Sequence, residues 1–296
     1  MAVIETEGLT KSYGHARGIE NVTLAVDAGT VFGFLGPNGA GKTTTIRTLL
    51  DLLHPTHGSA RVFGLDSRRD SVAIRKRLGN LPGDFGYGKK ATGREAIALL
   101  ARLRGVSGLG RAESLAERFR ADLDRPLGQL SRGNRQKVGL IQAVFHEPEL
   151  LILDEPTAGL DPLMQEEFLL LVAEERQRGC AVFFSSHELD EVERSCDRVG
   201  IVRDGRLIAV ERIADLLRGA RRKVVVELGD STGLRALGQI PGAADLAISG
   251  ARASFSFAGA LDPLLAELRS RRVIDLEVTR PTLEELFLTY YQGDAG

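Results

Sequence analysis

Three short, densely apolar runs recur along the chain: VFGFL at Val31–Leu35, LLILD at Leu150–Asp154 and AVFFSS at Ala181–Ser186. Runs of this length, closed by Gly, Asp or Ser, predict buried strands. Between them the period lengthens. Ile46, Leu49, Leu50 and Leu53 recur at helical spacing until His54-Pro55, so a helix is expected directly after Gly41. A second helix is expected from about Leu163 to Arg178, closed by Gly179. Alternating strands and helices predict a parallel sheet with helices on both faces, an α/β fold. Ahead of it, AVIETEGL and NVTLAVDAG read as antiparallel strands, and SARVFGLD as another strand signal. From about Ala91 to Phe145 the text is rich in Arg, Ala and Leu and predicts a mostly helical insert.

Further on, Asp204-Gly205 between two apolar runs predicts a hairpin. Near residue 220 the texture changes. VVVELG, ARASFSF and VIDLEVT read as strands, LDPLLAELRSR and TLEELFLTYY as helices, the latter started by a Thr282/Glu285 capping box with Leu283, Leu286, Phe287 and Tyr290 on one face. The expected organisation is a large domain over 1–218, with its helical subdomain at about 84–145, and a small α+β domain over 219–296. At 296 residues and 43% hydrophobic, the chain is long enough to bury both cores.

Charge and cysteines narrow the partners. Thirty-nine basic residues against forty acidic ones leave a net charge of -1, so no broad positive field calls for nucleic acid, and none is expected as a partner. Cys180 and Cys196 have neither C-x-x-C spacing nor histidines at metal-ligand spacing, which suits a reducing compartment. No basic-then-apolar leader and no run of roughly 18 apolar residues occurs, so a membrane role is expected to run through a partner.

The chemistry concentrates in a few loops. Gly36-Pro37-Asn38-Gly39-Ala40-Gly41-Lys42-Thr43, followed by Thr44, fits G-x-x-x-x-G-K-[ST] between a strand and a helix. Successive backbone N–H groups there face phosphates, Lys42 reaches the β- and γ-phosphates, and the Thr43 hydroxyl can ligate Mg²⁺. At the end of the LLILD strand, Asp154 is placed to hold that magnesium and Glu155 to polarise the attacking water. A second turn, LSRGNRQK at Leu130–Lys137, has Ser131 to cap a helix and Gly133 to let backbone approach an anion. One nucleotide does not need two such turns in one chain.

Taken in order, GPNGAGKTT, LSRGNRQK, LLILDEP, AGLDP and SSHE resemble the nucleotide-binding subunits of ATP-binding cassette transporters, over roughly residues 2–215. The resemblance implies a P-loop NTPase (RecA-like) core carrying an antiparallel β subdomain and a helical subdomain. It implies ATP and Mg²⁺ as cofactors, and a head-to-tail pairing with a second copy in which Ser131 and Gly133 of one chain close on the γ-phosphate held by the other. It further implies that Tyr13 stacks on adenine, Asp161 links the two sites and His187 senses the γ-phosphate. The other histidines, His15, His54, His57 and His146, read as surface or loop residues.

Three positions depart from the family pattern. Arg132 and Asn134 stand where glycine and glutamine are usual, and Gly83 stands where a magnesium-contacting glutamine is usual. Either Asp84 substitutes or the contact is absent; Gln129 matches only in residue type and is expected to be solvated. The LPGD loop and the ending RPTLEELFLTYY are similar to ATPase subunits of prokaryotic multidrug and daunorubicin-type exporters. That similarity implies a separate multi-span permease as partner and a position on the cytoplasmic face of the membrane. Two other classes stay in view: a soluble cassette acting on ribosomes or DNA, and a P-loop kinase, which has no use for LSRGN or SSHE.

Overall fold

The computed structural model describes residues 1–14, 16–83 and 90–292, so His15 and Asp84 lie outside the described residues. Its contacts divide the chain into Met1–Arg212 and Ile213–Gly296, a boundary ahead of the expected 218 because the helix at Ile213–Gly219 groups with the second unit.

In the first unit the long strands β1 (Ala2–Tyr13) and β2 (Ala16–Asp27) pair antiparallel. After β3 (Val31–Leu35) and α1 (Lys42–Leu49) come β4 (His57–Val62), antiparallel to β1, and the two-residue β5 (Leu65–Asp66). Together they make a sheet of order β2-β1-β4-β5. α1 is shorter than its apolar pattern: Ile46 and Leu49 are buried, but Asp51 takes φ +56° and turns the chain away before Leu53.

Next, α2 (Ser71–Arg77) leads into β6 (Leu78–Leu81), then α3 (Gly93–Arg104), α4 (Gly110–Phe119) and α5 (Arg132–Val144) form the helical part. α2 and β6 carry no strong periodicity and were not legible. The chain closes with β7 (Leu150–Asp154), α6 (Pro162–Gln177), β8 (Ala181–Ser186), α7 (Leu189–Ser195) and the hairpin β9 (Arg198–Arg203) and β10 (Arg206–Arg212).

The central sheet has order β10-β9-β3-β8-β7-β6; only β10 runs antiparallel. β3, β7 and β8 are buried at every residue, which is why their sequences are apolar without alternation. Phe183 stacks on Phe32 at 5.7 Å between ring centres, and this layer joins β1, β2 and β4 in one core. Parallel order brings the carboxyl ends of β3, β7 and β8 to one edge, where a ligand crevice is expected in open α/β sheets. The helical part is tied to α6 by Arg118, which bonds Glu167 at 2.8 Å and Glu174 at 2.6 Å, and by Arg111, which with Arg178 neutralises the fully buried Glu175. Removing either guanidinium leaves that buried charge partly uncompensated.

His146 lies in the turn after α5, a loop position as the sequence reading has it, but its ring is half-buried 2.6 Å from Arg104 Nη1, and burial, helped by that guanidinium, pushes it down to about 4. Both cysteines are buried and free; burial pushes the Cys180 thiol up to about 12 and raises Cys196 as well. Among the described residues no helix is long and apolar enough to cross a membrane.

The second unit starts with α8 (Ile213–Gly219) and β11 (Arg222–Leu228), followed by β12 (Ala243–Ser249), β13 (Arg252–Phe257), α9 (Asp262–Leu268), β14 (Val273–Thr279) and α10 (Leu283–Gln292). Its antiparallel sheet runs β12-β13-β11-β14 over a core that includes Val224, Val226, Phe255, Phe257 and Leu264. The capping box is present: Thr282 N–H donates to Glu285 at 3.3 Å and Glu285 N–H to Thr282 Oγ1 at 3.4 Å. Leu283 and Phe287 are buried below it; Tyr290 lies outside the described side chains.

Candidate nucleotide site

At the carboxyl end of β3 the chain turns through Gly36–Gly41 into α1 without a side-chain cap. Gly41 takes φ +105°, closed to an ordinary side chain, so the first N–H groups of α1 point into the loop. A cavity of about 250 Å³ opens there, lined by Asn38, Gly39, Gly41, Lys42, Thr43 and Thr44 with Glu155 on the far wall and Gly18 at the rim. The Lys42 ammonium is held by the carbonyls of Gly36 at 2.6 Å and Pro37 at 3.3 Å and lies 3.5 Å from Glu155 Oε1. Ala40 is buried beneath the loop. Free N–H groups, a helix start and a buried ammonium make a site for a polyphosphate.

β7 delivers the acids. Asp154 is 2% exposed, and its Oδ1 accepts a 2.5 Å hydrogen bond from Ser185 Oγ, whose strand position is directly paired with it. Ser185 also accepts the Glu155 N–H at 3.0 Å, while Gln136 Nε2 donates to the carbonyls of Glu155 and Pro156, each at 2.9 Å. Glu155 itself sits at φ +48°, a conformation rare for a non-glycine residue, held from both sides by those bonds. Its carboxylate faces Lys42 and, at 3.6 Å, His187 Nδ1 on the loop after β8. Ser185 and Gln136 were missed in the sequence; two serines ending an apolar strand were the available signal for the first. Gly83 falls beside this cluster, since a Cβ there would stand 2.9 Å from Asp154 Oδ2. The position usually filled by glutamine is therefore at the acid, and it is bare backbone.

The remaining candidates are not in the cavity lining. Tyr13 is 43% exposed at the end of β1 with Lys11 Nζ 5.4 Å from its ring centre. Ser131 caps α5, accepting the Asn134 N–H at 3.2 Å, and Asp161 caps α6, accepting the Met164 N–H at 3.1 Å. Gly133 packs so tightly on the Gly159 carbonyl that a Cβ would approach it to 2.5 Å. Arg132, the departure from the usual glycine, lies across Gly159. So the second phosphate-type turn is built on the loop that carries Asp161, with both Ser131 and Asp161 exposed.

Behind His187, Ser186 Oγ donates to Glu191 Oε2 at 2.6 Å and accepts the Glu188 N–H at 2.9 Å. Burial pushes the Glu191 carboxyl up to about 7, against the lowering effect of the Ser186 bond. Because the folded chain holds this proton more tightly than the unfolded one, the stability it contributes is full below about pH 4.5 and is lost as pH rises through about 7. Glu191→Gln is expected to remove that loss and to be the more stable form at pH 8, by on the order of 2–3 kcal/mol. Thermal unfolding of both proteins at pH 5 and pH 8 checks this, and a gap between them that does not change with pH contradicts it.

A strand-end P-loop, a buried aspartate and an adjoining glutamate on a parallel sheet define a P-loop nucleoside triphosphatase. The description ABC transporter matches residues 19–158. The bacitracin transport ATP-binding protein BcrA of Bacillus licheniformis is 36% identical over 231 residues, 77% of this chain and 76% of that protein. The daunorubicin resistance ATP-binding protein DrrA3 of Streptomyces coeruleorubidus is 35% identical over 306 residues, 98% of this chain and 96% of that one, the second unit included. A solved ATP-binding subunit of an ABC transporter superposes with TM-score 0.67 at 31% identity, over 73% of this chain and 92% of its own. The dimeric bacterial cassette MJ0796, at TM-score 0.65 and 23% identity over 71% of this chain and 98% of its own, shares the fold. The chain belongs to the ATP-binding proteins of ABC transporters and is an ATPase.

Proposed function

We propose that the chain powers export through a separate multi-span permease, working as a head-to-tail pair of copies that closes on ATP at the cytoplasmic face of the membrane. The observation that carries this reading is the split site: the cavity at Lys42 has no contribution from Ser131, Gly133 or Asp161, yet Ser131 and Gly133 belong to a capped helix start of their own, and exposed Asp161 caps a second helix. A facing copy would bring that start to the γ-phosphate, with Asp161 crossing between the sites and Tyr13 against adenine.

Within one pocket, the backbone N–H groups of Gly39, Gly41, Lys42, Thr43 and Thr44, whose residues line the cavity, and the Lys42 ammonium hold the β- and γ-phosphates. Glu155 takes a proton from the attacking water, and His187, 3.6 Å from it, orients that carboxylate and contacts the γ-phosphate. The Thr43 hydroxyl and Asp154 would hold Mg²⁺, and hard oxygen donors beside a phosphate cradle fit that ion. Bound, the magnesium neutralises charge on the β- and γ-oxygens. Gly83 offers no side chain to it, so the usual third contact is absent among the described residues.

We infer a permease contact at the helical part. A cavity of about 340 Å³ where that part meets β6 is lined by Leu50, Leu52, Arg75, Leu78, Asn80, Arg104 and Gln142, and the buried acceptors Asn80 Oδ1 and Gln142 Oε1 have no hydrogen-bond partner among the described residues. Leu52, after α1, and Leu99 and Leu103, on α3, are exposed. The cargo class we infer is a drug or other hydrophobic small molecule, in keeping with relatives named for bacitracin transport and daunorubicin resistance. Co-expression with a neighbouring permease and purification from detergent-solubilised membranes tests this. Co-purification that falls several-fold in Leu52→Asp/Leu103→Asp is expected; association with ribosomes and no permease overturns it.

A further inference from the structure

The second unit has a cavity of its own, about 600 Å³, bordered by Leu217 and Arg218 of α8, Arg222 of β11, Phe257 and Ala260 at and after the end of β13, and Arg280 after β14. Among the described residues no carboxylate lines it. Arg218 is paired with Asp215 at 2.5 Å, but Arg222 and Arg280 make no ion pair among the described residues, whereas Arg77, Arg94, Arg118, Arg178 and Arg194 all do.

The pairing of β11 with β14 ends at Lys223 and Thr279, so Arg222 and Arg280 stand just beyond that last pair, and Arg222 pairs on its other side with Phe257. Both guanidinium groups belong to the lining of one cavity, where like charges repel unless something negative lies between them. Two guanidinium forks suit an oxyanion with several acceptor oxygens, and phosphate uses both better than carboxylate does. The buried ring of Phe257 with Leu217 and Ala260 gives the same cavity an apolar wall, and its volume is in the range that encloses a small molecule.

We propose that this cavity is a binding site for a phosphate-bearing amphiphile, its headgroup between Arg222 and Arg280 and its apolar body along Phe257, Leu217 and Ala260. The chemistry is shared by a membrane phospholipid and by a free phosphorylated amphiphile, and two probes separate them. Dihexanoyl phosphatidic acid, soluble as a monomer, is titrated calorimetrically into the full chain; vesicles of phosphatidylcholine with and without long-chain phosphatidic acid are co-sedimented with it. Binding by the soluble probe assigns a free ligand, and binding to the anionic vesicles alone assigns a lipid surface.

Whichever probe binds, Arg222→Ala/Arg280→Ala is expected to weaken it at least about tenfold, the scale of losing charge-assisted contacts. Ala260→Trp, which fills the cavity and keeps every charge, is expected to do the same. Arg221→Ala/Lys223→Ala removes equal charge from outside the lining and is expected to leave binding within about twofold. Failure of both probes to bind overturns the proposal. So does a control pair that loses as much as the lining pair, or an Ala260→Trp chain that binds normally, since either would mean unspecific attraction to a basic surface. Thermal unfolding of each variant, followed by circular dichroism and compared with the parent chain, verifies that the second unit is folded.

Discussion

Glu155→Gln is expected to bind ATP as the parent does and to hydrolyse it about 10²- to 10⁴-fold more slowly, the range that general-base assistance contributes. The substitution keeps the shape and the backbone bonds from Ser185 and Gln136, which involve the N–H and carbonyl of residue 155 and not its side chain. What it removes is the carboxylate that faces Lys42 and His187. The positive φ at this residue is unaffected, since glutamine bears it no worse than glutamate. Nucleotide binding by equilibrium dialysis and steady-state phosphate release separate the two effects. Unchanged turnover would take Glu155 out of the base role; lost binding would mean that its charge organises the P-loop instead.

The second large effect is expected at a residue outside the ATP cavity. Gly133→Ala places a methyl within 2.5 Å of the Gly159 carbonyl, and that contact is backbone on the opposing side. Either α5 backs away or the loop leading to Asp161 shifts, and in both cases the N–H groups at the start of α5 are misplaced for a phosphate. Loss of one preorganised donor to a reacting phosphoryl group or oxyanion costs about 10²- to 10³-fold in rate. Turnover of Gly133→Ala is expected to fall by that order while its own P-loop still binds ATP. A chain that hydrolyses normally would mean that the second turn is not at the phosphate during reaction.

Much of this was legible in the chain because the determinants are local. The P-loop needs only a strand, a run of glycines and a helix start, all contiguous at Val31–Leu49, and Asp154 and Glu155 end the apolar run that buries them. The hairpin at Asp204-Gly205 and the Thr282/Glu285 box are equally local. What escaped depends on register across distant segments. Ser185 matters because β8 sets it opposite Asp154, and Gln136 because α5 passes the turn after β7; neither is written in its own neighbourhood. His146 is a turn residue, but its half-burial was not legible because its partner Arg104 is on another helix. β12, with Asp245 at φ +57° and no fully buried residue, lacks strand periodicity and exists by pairing with β13.

Subunit complementation tests most directly whether one chain supplies half of each working pocket. A Lys42→Ala chain lacks its phosphate-holding ammonium, and a Gly133→Ala chain lacks its helix start; each alone is expected to be nearly inactive. Mixed in equal amounts, half of the pairs formed at random are hybrids, and each hybrid has one pocket with an intact Lys42 facing an intact Gly133. Phosphate release is then expected to recover to about a quarter of that of the unaltered protein. If both elements of a pocket came from the same chain, every pocket in the mixture would carry a lesion, and the mixture would stay as inactive as its components.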